Sequence, residues 1–293
     1  MTKLSKSTTT FTLNNGVKIP AVGLGTWQAS EKGAARNATK VAIENGYRHI
    51  DTAAGYQNEG EVGEGIKDSG VPREEIFITT KLTNEDHKRV AAAFEESLKK
   101  LDVDYIDLYL VHWPVSTDPV TKKAFEDWDY VDTYKEVQKL YKAGKVKSIG
   151  VSNFTINKLE RLLSDPEVDV VPAVNQIEAH PFLLQTELFD YLKKKGILIE
   201  AYSPLGSTNA PLVQNEVITE VAKKNDVTPT SVLISWAIQR GTVVLPKSVT
   251  DSRIIANLET FELSEADFEA LNKISGKFGI KRFANPPWNN FDD

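Results

Sequence analysis

The 293-residue sequence contains no cysteine. A chain without thiols forms no disulfide, has no cysteine nucleophile and builds no zinc–thiolate site, so these classes of chemistry are excluded. Its four histidines, His49, His87, His112 and His180, are scattered without the spacing of metal ligands, so we predict no metal site. We expect His87 to be solvated and His180 to lie in a turn. We assign no role to His49, which should alternate away from the neighbours of Asp51.

Long basic runs and long apolar runs are also missing. The formal net charge of −6 argues against binding to nucleic acid or to an anionic membrane. No apolar run approaches the roughly 18 residues of a membrane span, and the start, MTKLSKSTTT, lacks the apolar core of a secretory signal. We therefore expect a cytoplasmic protein whose partner is a small molecule.

Short apolar runs alternate with amphipathic stretches along most of the chain. Eight runs have the length of strands: Ala21–Leu24, Arg48–Asp51, Ile76–Thr80, Ile106–Val111, Lys147–Val151, Ala173–Ile177, Leu198–Ala201 and Val243–Leu245. Helical periodicity separates them, as in Lys88–Leu101 and Tyr134–Ala143. Eight strands that alternate with helices pair in parallel, and the sequence therefore predicts an α/β fold, a closed (β/α)8 TIM barrel.

Several segments fall outside this alternation. Phe11–Ile19 predicts an N-terminal β-hairpin with Asn15-Gly16 at its turn. Glu216–Lys224 and Ser264–Ile274 predict two extra helices, and residues 276–293 form a turn-rich C-terminal loop. The whole chain, residues 1–293, is predicted to form one barrel domain.

Polar side chains stand at the C-terminal end of nearly every predicted strand. In chain order they are Asp51, Lys81, His112, Ser152, Asn153, Gln176, Glu178, Tyr202, Ser203, Lys247 and Ser248. Any one of them alone is more often a solvated or hydrogen-bonded residue than a functional one. Because all strand ends of such a barrel face the side that holds the active site, the full set predicts an active site there.

The stretch GYRHIDTAAGYQNE, residues 46–59, places Asp51 at a strand end and Tyr56 on the following loop. A tyrosine titrates near pH 10, so it is a good proton donor at neutral pH only if a cation stabilises its phenolate. Lys81 is such a cation and should lower the pKa of Tyr56, while Asp51 holds the ammonium. His112 supplies a hydrogen bond to a substrate oxygen or an alternative proton donor. These four residues predict reduction of a carbonyl, with the hydride supplied by a cofactor.

Seven ordered stretches resemble the aldo-keto reductase superfamily, and most closely its fungal NADP-dependent aldehyde and keto-ester reductases. They are GYRHIDTAAGYQNE, ITTKL at Ile78–Leu82, DLYLVHWP at Asp107–Pro114, GVSNF at Gly150–Phe154, NQIEAHP at Asn175–Pro181, AYSPLG at Ala201–Gly206 and LPKSVT at Leu245–Thr250. The resemblance implies NADPH-dependent reduction of aldehydes and ketones, keto esters included, to alcohols. It also implies that Tyr56 is the general acid and that Lys81, Asp51 and His112 assist it.

The resemblance further implies a site for NADPH/NADP+ and a site for the substrate. The cofactor residues, from the nicotinamide to the adenosine 2′-phosphate, are Thr26, Trp27, Asp51, Ser152, Asn153, Gln176, Tyr202, Ser203, Leu205, Ser207, Lys247, Ser248, Val249, Thr250, Arg253 and Asn257. The substrate residues are Trp27, Tyr56, His112, Trp113 and Trp288, and we expect Trp288 to fold over the mouth of the pocket. Three positions depart from the family pattern: Thr83 replaces a common tryptophan, Asn209 an acid and Ala256 a carboxylate.

Three other interpretations compete with an NADP-dependent reductase. A dinucleotide-binding Rossmann fold is disfavoured because Gly23-Leu24-Gly25 lacks the third glycine of the fingerprint. A regulatory subunit on the same barrel would bind the cofactor without turnover. The presence of all four residues proposed for catalysis, Asp51, Tyr56, Lys81 and His112, argues against it. A glycosidase needs paired carboxylates at strand ends, and Asp51 and Glu178 are available, but one of them is already explained by its pairing with Lys81. Members of the family lead us to expect a monomer.

Overall fold

A computed structural model describes residues 3–291 of the chain. Its central sheet has eight parallel strands, which we number one to eight: Leu24–Gly25, His49–Asp51, Phe77–Leu82, Ile106–Val111, Val146–Ser152, Val174–Glu178, Leu198–Tyr202 and Val243–Val244. Strands adjacent in the chain are adjacent in the sheet. Parallel bridges from Val22 to Val244 and from Gly25 to Lys247 join the first strand to the eighth. The sheet therefore closes, and the predicted barrel is confirmed.

Helices follow the strands and pack outside the barrel. Their bounds are Ala34–Glu44, Glu59–Asp68, Val90–Leu101, Tyr130–Lys142, Ile156–Ser164, Thr186–Lys195, Glu216–Asn225, Pro229–Gln239, Asp251–Asn257, Glu265–Asn272 and Ile274–Phe278. Two follow strand seven and three follow strand eight, so the extra helices expected near residues 216 and 264 are present. None of the helices within residues 3–291 combines the length and apolarity needed to cross a membrane.

Side-chain caps explain where several helices begin. Asp129 accepts a hydrogen bond from the amide of Val131, and Thr155 accepts one from Lys158. Thr228 caps the helix that starts at Pro229, a residue whose missing N–H is not needed in the first turn. Each cap satisfies a backbone donor that the helix itself leaves unpaired. These starts fix where the preceding loops end, and those loops surround the barrel mouth.

The N-terminal hairpin closes the opposite end of the barrel. Its strands are Thr10–Thr12 and Lys18–Pro20. The side chains of Leu13 and Ile19 join a buried cluster inside the barrel whose other members are Phe77, Leu108, Leu110, Ala173, Val174, Val243 and Leu245. Asn15 donates a hydrogen bond to the carbonyl of Lys147 at 2.9 Å, at the start of strand five. The bottom of the barrel is therefore filled by side chains.

The end of the described chain returns to the barrel mouth. A short antiparallel pair, Ser5–Lys6 with Glu259–Thr260, precedes the last helices. After the helix Ile274–Phe278 the chain has no further helix or strand within the described residues. We call residues 279–291 the tail. Because it crosses the mouth, the tail belongs to the description of the site.

Candidate active site

A cleft of about 1230 Å³ opens at the C-terminal ends of the strands. Most of the predicted site residues line it: Thr26, Trp27, Asp51, Tyr56, His112, Trp113, Asn153, Gln176, Tyr202, Ser203, Leu205, Ser207, Lys247, Ser248, Val249, Thr250, Arg253, Asn257 and Trp288. Lys81 and Ser152 lie directly behind this lining. Lys81 bonds to Tyr56, and the Ser152 hydroxyl donates to the carbonyl of Gln176 at 2.8 Å. Residues from widely separated parts of the chain therefore meet in one cleft.

Lys81 lies within strand three, which runs two residues beyond its predicted end, and its side chain is fully buried. Its ammonium donates to Asp51 Oδ1 at 2.7 Å, to the carbonyl of Thr52 at 2.9 Å and to the Tyr56 hydroxyl at 3.3 Å. These bonds use all three N–H donors of a lysine. Burial is the largest single influence on the pKa of Lys81 and acts to lower it, but the charge of Asp51, its hydrogen bond to the ammonium and the charges of Tyr56 and Glu200 together raise that pKa, so the ammonium stays charged.

The hydroxyl of Tyr56 is held between this ammonium and the open cleft. Burial raises the pKa of Tyr56 above the ordinary value of 10.0, and the opposing effect of the Lys81 charge offsets only part of the rise. The expected net fall in the Tyr56 pKa is therefore wrong, although Lys81 acts in the expected direction. The pKa rises because burial removes water from the hydroxyl, and this loss destabilises the phenolate more than one cation at 3.3 Å stabilises it.

His112 faces Tyr56 at the end of strand four. The two ring centroids are 5.6 Å apart and the rings meet edge to face. Burial and the charge of Lys81 hold the pKa of His112 well below 6.5, so the imidazole is neutral at neutral pH. A neutral imidazole is a poor proton donor but a suitable hydrogen-bonding group for a carbonyl oxygen. Of the two roles considered for His112, the structure therefore favours orientation of the substrate.

A buried polar network lies below these residues, and the sequence did not indicate it. The amide nitrogen of Gln176 donates to Asp51 Oδ2 and to Glu200 Oε2, each at 2.8 Å. His49 Nε2 lies 3.3 Å from Glu200 Oε1 and 3.0 Å from the Thr79 hydroxyl. The expectation that His49 points away from the neighbours of Asp51 is wrong. Strand side chains alternate with a period of two, so residues 49 and 51 share one face.

Neither end of this network carries a charge at neutral pH. Burial raises the pKa of Glu200 to about 8, and the negative charge of Asp51 adds to the rise. Burial lowers the pKa of His49 to about 3. The contact between the two is therefore one between neutral groups, and Asp51 is left as the carboxylate that balances Lys81.

Asn153 and Gln176 present fixed amides to one end of the cleft. Asn153 adopts a left-handed backbone conformation, with φ of 64°, which asparagine tolerates better than most residues. Its side-chain oxygen accepts from the Tyr202 hydroxyl at 2.6 Å, and its nitrogen donates to the carbonyl of His112 at 3.1 Å. Since the nitrogen of Gln176 donates to the carboxyl groups of Asp51 and Glu200, its oxygen is the group left for a ligand. The amide side chains of Asn153 and Gln176 are therefore suited to bind the carboxamide group of a ligand that lies beside the ring of Tyr202.

Lys247 and Arg253 mark the other end of the cleft. Both are exposed, and neither forms an ion pair with any residue between 3 and 291. Ser248, between them, accepts from the amide of Thr250, next to the helix start at Asp251. Two cations at a helix start oppose the helix dipole, and an anion bound between them would remove that conflict.

The loop over the middle of the cleft is strained. Ser203, Ser207, Asn209 and Ala210 all have positive φ, a conformation that costs energy for residues other than glycine. Thr208 donates to the side chain of Gln28 at 3.5 Å, across from the loop after strand one. Gln28 and Thr208 both line the cleft, and sequence reasoning missed them because they are ordinary polar residues in loops.

The mouth of the cleft carries three tryptophans. Trp27 is 47% and Trp288 48% exposed, and the rings of Trp288 and Trp113 meet edge to face at 4.8 Å. The expected position of Trp288 at the mouth is thus observed. Polar residues that we did not predict also line the cleft, among them Glu85, which accepts from Thr83 at 3.0 Å and lies 3.6 Å from Lys122.

One other expectation fails, and one alternative interpretation loses support. His87 is buried rather than solvated, and its Nδ1 lies 2.7 Å from the Ser116 hydroxyl, because the loop after strand four folds back onto it. Asp51 and Glu178 are not free carboxylates, since Asp51 binds Lys81 and Glu178 accepts from His180 and from tail amides. Paired acids of a glycosidase need a free base or nucleophile, so the geometry does not support that interpretation.

Comparison with known proteins agrees with this geometry. Residues 21–276 match the model of the Aldo/keto reductase family. The chain is 51% identical to glycerol 2-dehydrogenase (NADP(+)) of Saccharomyces cerevisiae, with 99% of this chain and 98% of the yeast protein covered. It is 48% identical to aldehyde reductase YPR1 of the same yeast, with 98% and 97% covered. An aldo-keto reductase of Bombyx mori, solved in complex with NADP, has a TM-score of 0.85 and 37% identity, covering 96% of this chain and 100% of that one.

Proposed function

Because the chain belongs to the aldo/keto reductase family, we propose that it reduces aldehydes and ketones, keto esters included, to alcohols with NADPH. The observation that carries the proposal is the Tyr56 hydroxyl, 3.3 Å from the Lys81 ammonium and open to the cleft beside His112. The relatives named as an NADP(+)-dependent glycerol 2-dehydrogenase and an aldehyde reductase support both the reaction and the cofactor.

In this mechanism Tyr56 gives its proton to the carbonyl oxygen as that oxygen gains negative charge. Lys81 stabilises the phenolate left behind, and Asp51 keeps the ammonium charged and in place. Neutral His112 donates a hydrogen bond that orients the carbonyl toward Tyr56. The high pKa of Tyr56 keeps it protonated, which is the state that reduction requires.

The cleft residues fit a nicotinamide dinucleotide phosphate. Asn153 and Gln176 would hold the carboxamide and Tyr202 would stack on the ring. Lys247 and Arg253 would bind the 2′-phosphate, since both cations lack an acidic partner among residues 3–291. When bound, NADPH supplies the hydride, which no protein side chain can provide.

The test is the oxidation of NADPH, followed by its absorbance, in the presence of aldehydes, ketones and keto esters. We expect turnover with wild type and almost none with the Tyr56→Phe variant. Cofactor binding without turnover on any carbonyl would favour the regulatory-subunit interpretation. A wild-type protein that neither binds NADPH nor oxidises it would overturn the proposal.

We also propose that residues 1–293 act as one domain, as a monomer and in the cytoplasm. Support for one domain comes from the pairing of Ser5–Lys6 with Glu259–Thr260, which ties the N-terminal segment to the segment that precedes the last two helices. The oligomeric state and the location in the cell stay predictions, for which sedimentation and localisation of a tagged protein are the measurements.

A further inference from the structure

Glu178, the last residue of strand six, holds the tail by two backbone hydrogen bonds. Its Oε1 accepts from the amide of Phe283 at 2.8 Å, and its Oε2 accepts from the amide of Ala284 at 2.7 Å. His180 Nε2 donates to the same Oε1 at 2.8 Å. The carboxylate is fully buried and does not line the cleft. It therefore joins two parts of the chain 105 residues apart without contacting the reacting groups.

A stiff linker connects this anchor to the mouth of the cleft. Pro286 and Pro287 stand between Ala284 and Trp288, and proline fixes φ at about −65°. The position of Ala284 is therefore transmitted to Trp288 with little freedom. Both Ala284 and Trp288 line the cleft, and Trp288 packs against Trp113.

The anchor also connects the tail to the loop over the cleft. The ring of Phe283 lies 5.5 Å from the ring of His180. Its edge reaches Gly206, where a Cβ would come within 3.2 Å of Phe283 Cε2. Gly206 has a φ of 88° and belongs to the strained loop that contains Ser203 and Ser207. The tail therefore supports one side of that loop when it is docked.

Docking of the tail carries a cost that these bonds offset. The side chain of Asn289 is buried, and neither its nitrogen nor its oxygen finds a hydrogen-bond partner among residues 3–291. Burial of an unpaired amide is unfavourable. Hydrogen bonds to an ionised carboxylate are stronger than those between neutral groups, so the buried anchor at Glu178 is well suited to hold the tail against this cost.

We propose that Glu178 is a positioning residue that latches the tail over the cleft and so determines selectivity for bulky carbonyl substrates. The inference rests on the proposed reductase function and assigns a residue to its substrate selectivity. The carboxylate is essential because three donors, two amides and one imidazole N–H, converge on it. Glutamine has the same shape but one acceptor oxygen, so its NH₂ group would face a donor and at least one bond would be lost.

The experiment compares Glu178→Gln with Glu187→Gln, a matched loss of charge at an exposed position on the following helix. For Glu178→Gln we expect KM for a bulky aryl ketone to rise about tenfold, the scale of one lost bond to a charged group. KM and kcat for a small aliphatic aldehyde should stay within about twofold of wild type, since the Tyr56 centre is untouched. Glu187→Gln should match wild type with both substrates.

A second variant removes the same bond from the side of the tail. Ala284→Pro deletes the N–H that donates to Oε2 and leaves the barrel unchanged, so it remains informative if Glu178→Gln does not fold. In a Trp288→Ala background, the effect of Glu178→Gln on the aryl ketone should shrink, because both changes act through the same segment. Equal rises in KM for both substrates, or unchanged selectivity in Ala284→Pro, would overturn the latch.

A readout that needs no turnover separates the latch from the proposed function. Trypsin cuts after Lys281 and Arg282, next to the anchored amides, and we expect Glu178→Gln and Ala284→Pro to be cut faster than wild type and Glu187→Gln. A wild type that reduces no carbonyl but shows this protease pattern would refute the reductase and keep the latch. Equal cutting of all four proteins would refute the latch even if the reductase is active.

Discussion

The floor and the roof of the cleft are built in opposite ways. On the floor, Asp51 and Lys81 come from strands, are buried and have their charges paired at 2.7 Å. On the roof, Trp27 and Trp288 come from a loop and from the tail, and each leaves almost half of its side chain exposed. The floor is held by the barrel itself, whereas the roof is held by a few contacts such as those of Glu178. Chemistry and substrate selectivity should therefore respond to different substitutions.

Among substitutions in the floor of the cleft, loss of the proton donor should reduce turnover the most. Tyr56→Phe keeps the ring and removes the hydroxyl, so we expect turnover to fall by ~10²–10⁴ with nearly unchanged affinity for NADPH. Tyr109→Phe is the matched control, because that hydroxyl is buried without a partner among residues 3–291 and lies away from the cleft. Steady-state rates and a cofactor titration measure both. Retention of more than about a tenth of the activity would exclude Tyr56 as the general acid.

The buried ion pair should link activity to stability. Lys81→Met leaves the Asp51 carboxylate buried without its cation, so we expect the free energy of unfolding to fall by about 3–5 kcal/mol and turnover to be lost. Lys40→Met removes an exposed partner of Glu44 and should cost less than about 1 kcal/mol. Urea unfolding distinguishes the two. Similar costs for both variants would mean that the floor is no more tightly held than the surface.

The preference between NADPH and NADH should depend on the end of the cleft where Lys247 and Arg253 lie. We expect wild type to prefer NADPH over NADH, and Arg253→Ala to reduce that preference by roughly 10²-fold or less, the range for one or two bonds to a charged group. Arg36→Ala, which removes a cation paired with Asp68 on the outer surface, should leave the preference unchanged. The ratio of kcat/KM for the two cofactors is the measurement. Equal weakening of both cofactors would show that Arg253 does not contact the 2′-phosphate.

A change confined to the roof should alter selectivity and spare the chemistry. Trp288→Ala removes one ring of the pair with Trp113, and we expect KM for bulky aromatic ketones to rise about tenfold. KM for small aldehydes should change much less. Trp128→Ala, outside the cleft, should treat both substrates alike. A fall in kcat for every substrate would mean that the roof also shapes the floor.

The smallest expected effect is that of pH on reduction. The pKa of His112 lies well below 6.5 and that of Tyr56 lies above 10, so neither residue titrates between pH 6 and 9. The pKa of Glu200 is about 8, and the negative charge that Glu200 gains as pH rises favours the protonated form of Tyr56. We expect kcat for reduction to vary by less than about twofold over this range. A loss of rate with an apparent pKa of about 6.5, the ordinary value for histidine, would instead identify protonated His112 as the acid.

The floor could be predicted because it follows from local patterns. Apolar runs place the strands within a few residues of their observed ends, and the geometry of a parallel barrel brings Asp51, Lys81 and His112 to one side. Period-two alternation, applied to residues 49 and 51, would also have located His49 beside the network. Its partner Glu200 had no such signal, because an acid inside an apolar strand does not reveal which side chains surround it.

The roof could not be predicted because its contacts join distant segments. Nothing in the spacing of Glu178 and Phe283 indicates that two tail amides end on this carboxylate. The burial of His87 likewise depends on how the loop after strand four folds, which turn residues do not specify. The direction of the Tyr56 pKa also needed the structure, since burial and a nearby cation act in opposite senses and only geometry decides between them.

The filled bottom of the barrel also bears on where substrate, product and cofactor enter and leave the cleft. Leu13 and Ile19 of the hairpin, with the apolar side chains of the strands, fill the barrel below the floor. The cleft opens at the C-terminal ends of the strands, and carbonyl, alcohol and cofactor would all enter and leave there. The tail lies across this opening. The residues that select a substrate on entry therefore also set how fast the products can leave, and a tighter fit at the mouth would slow every cycle that it favours.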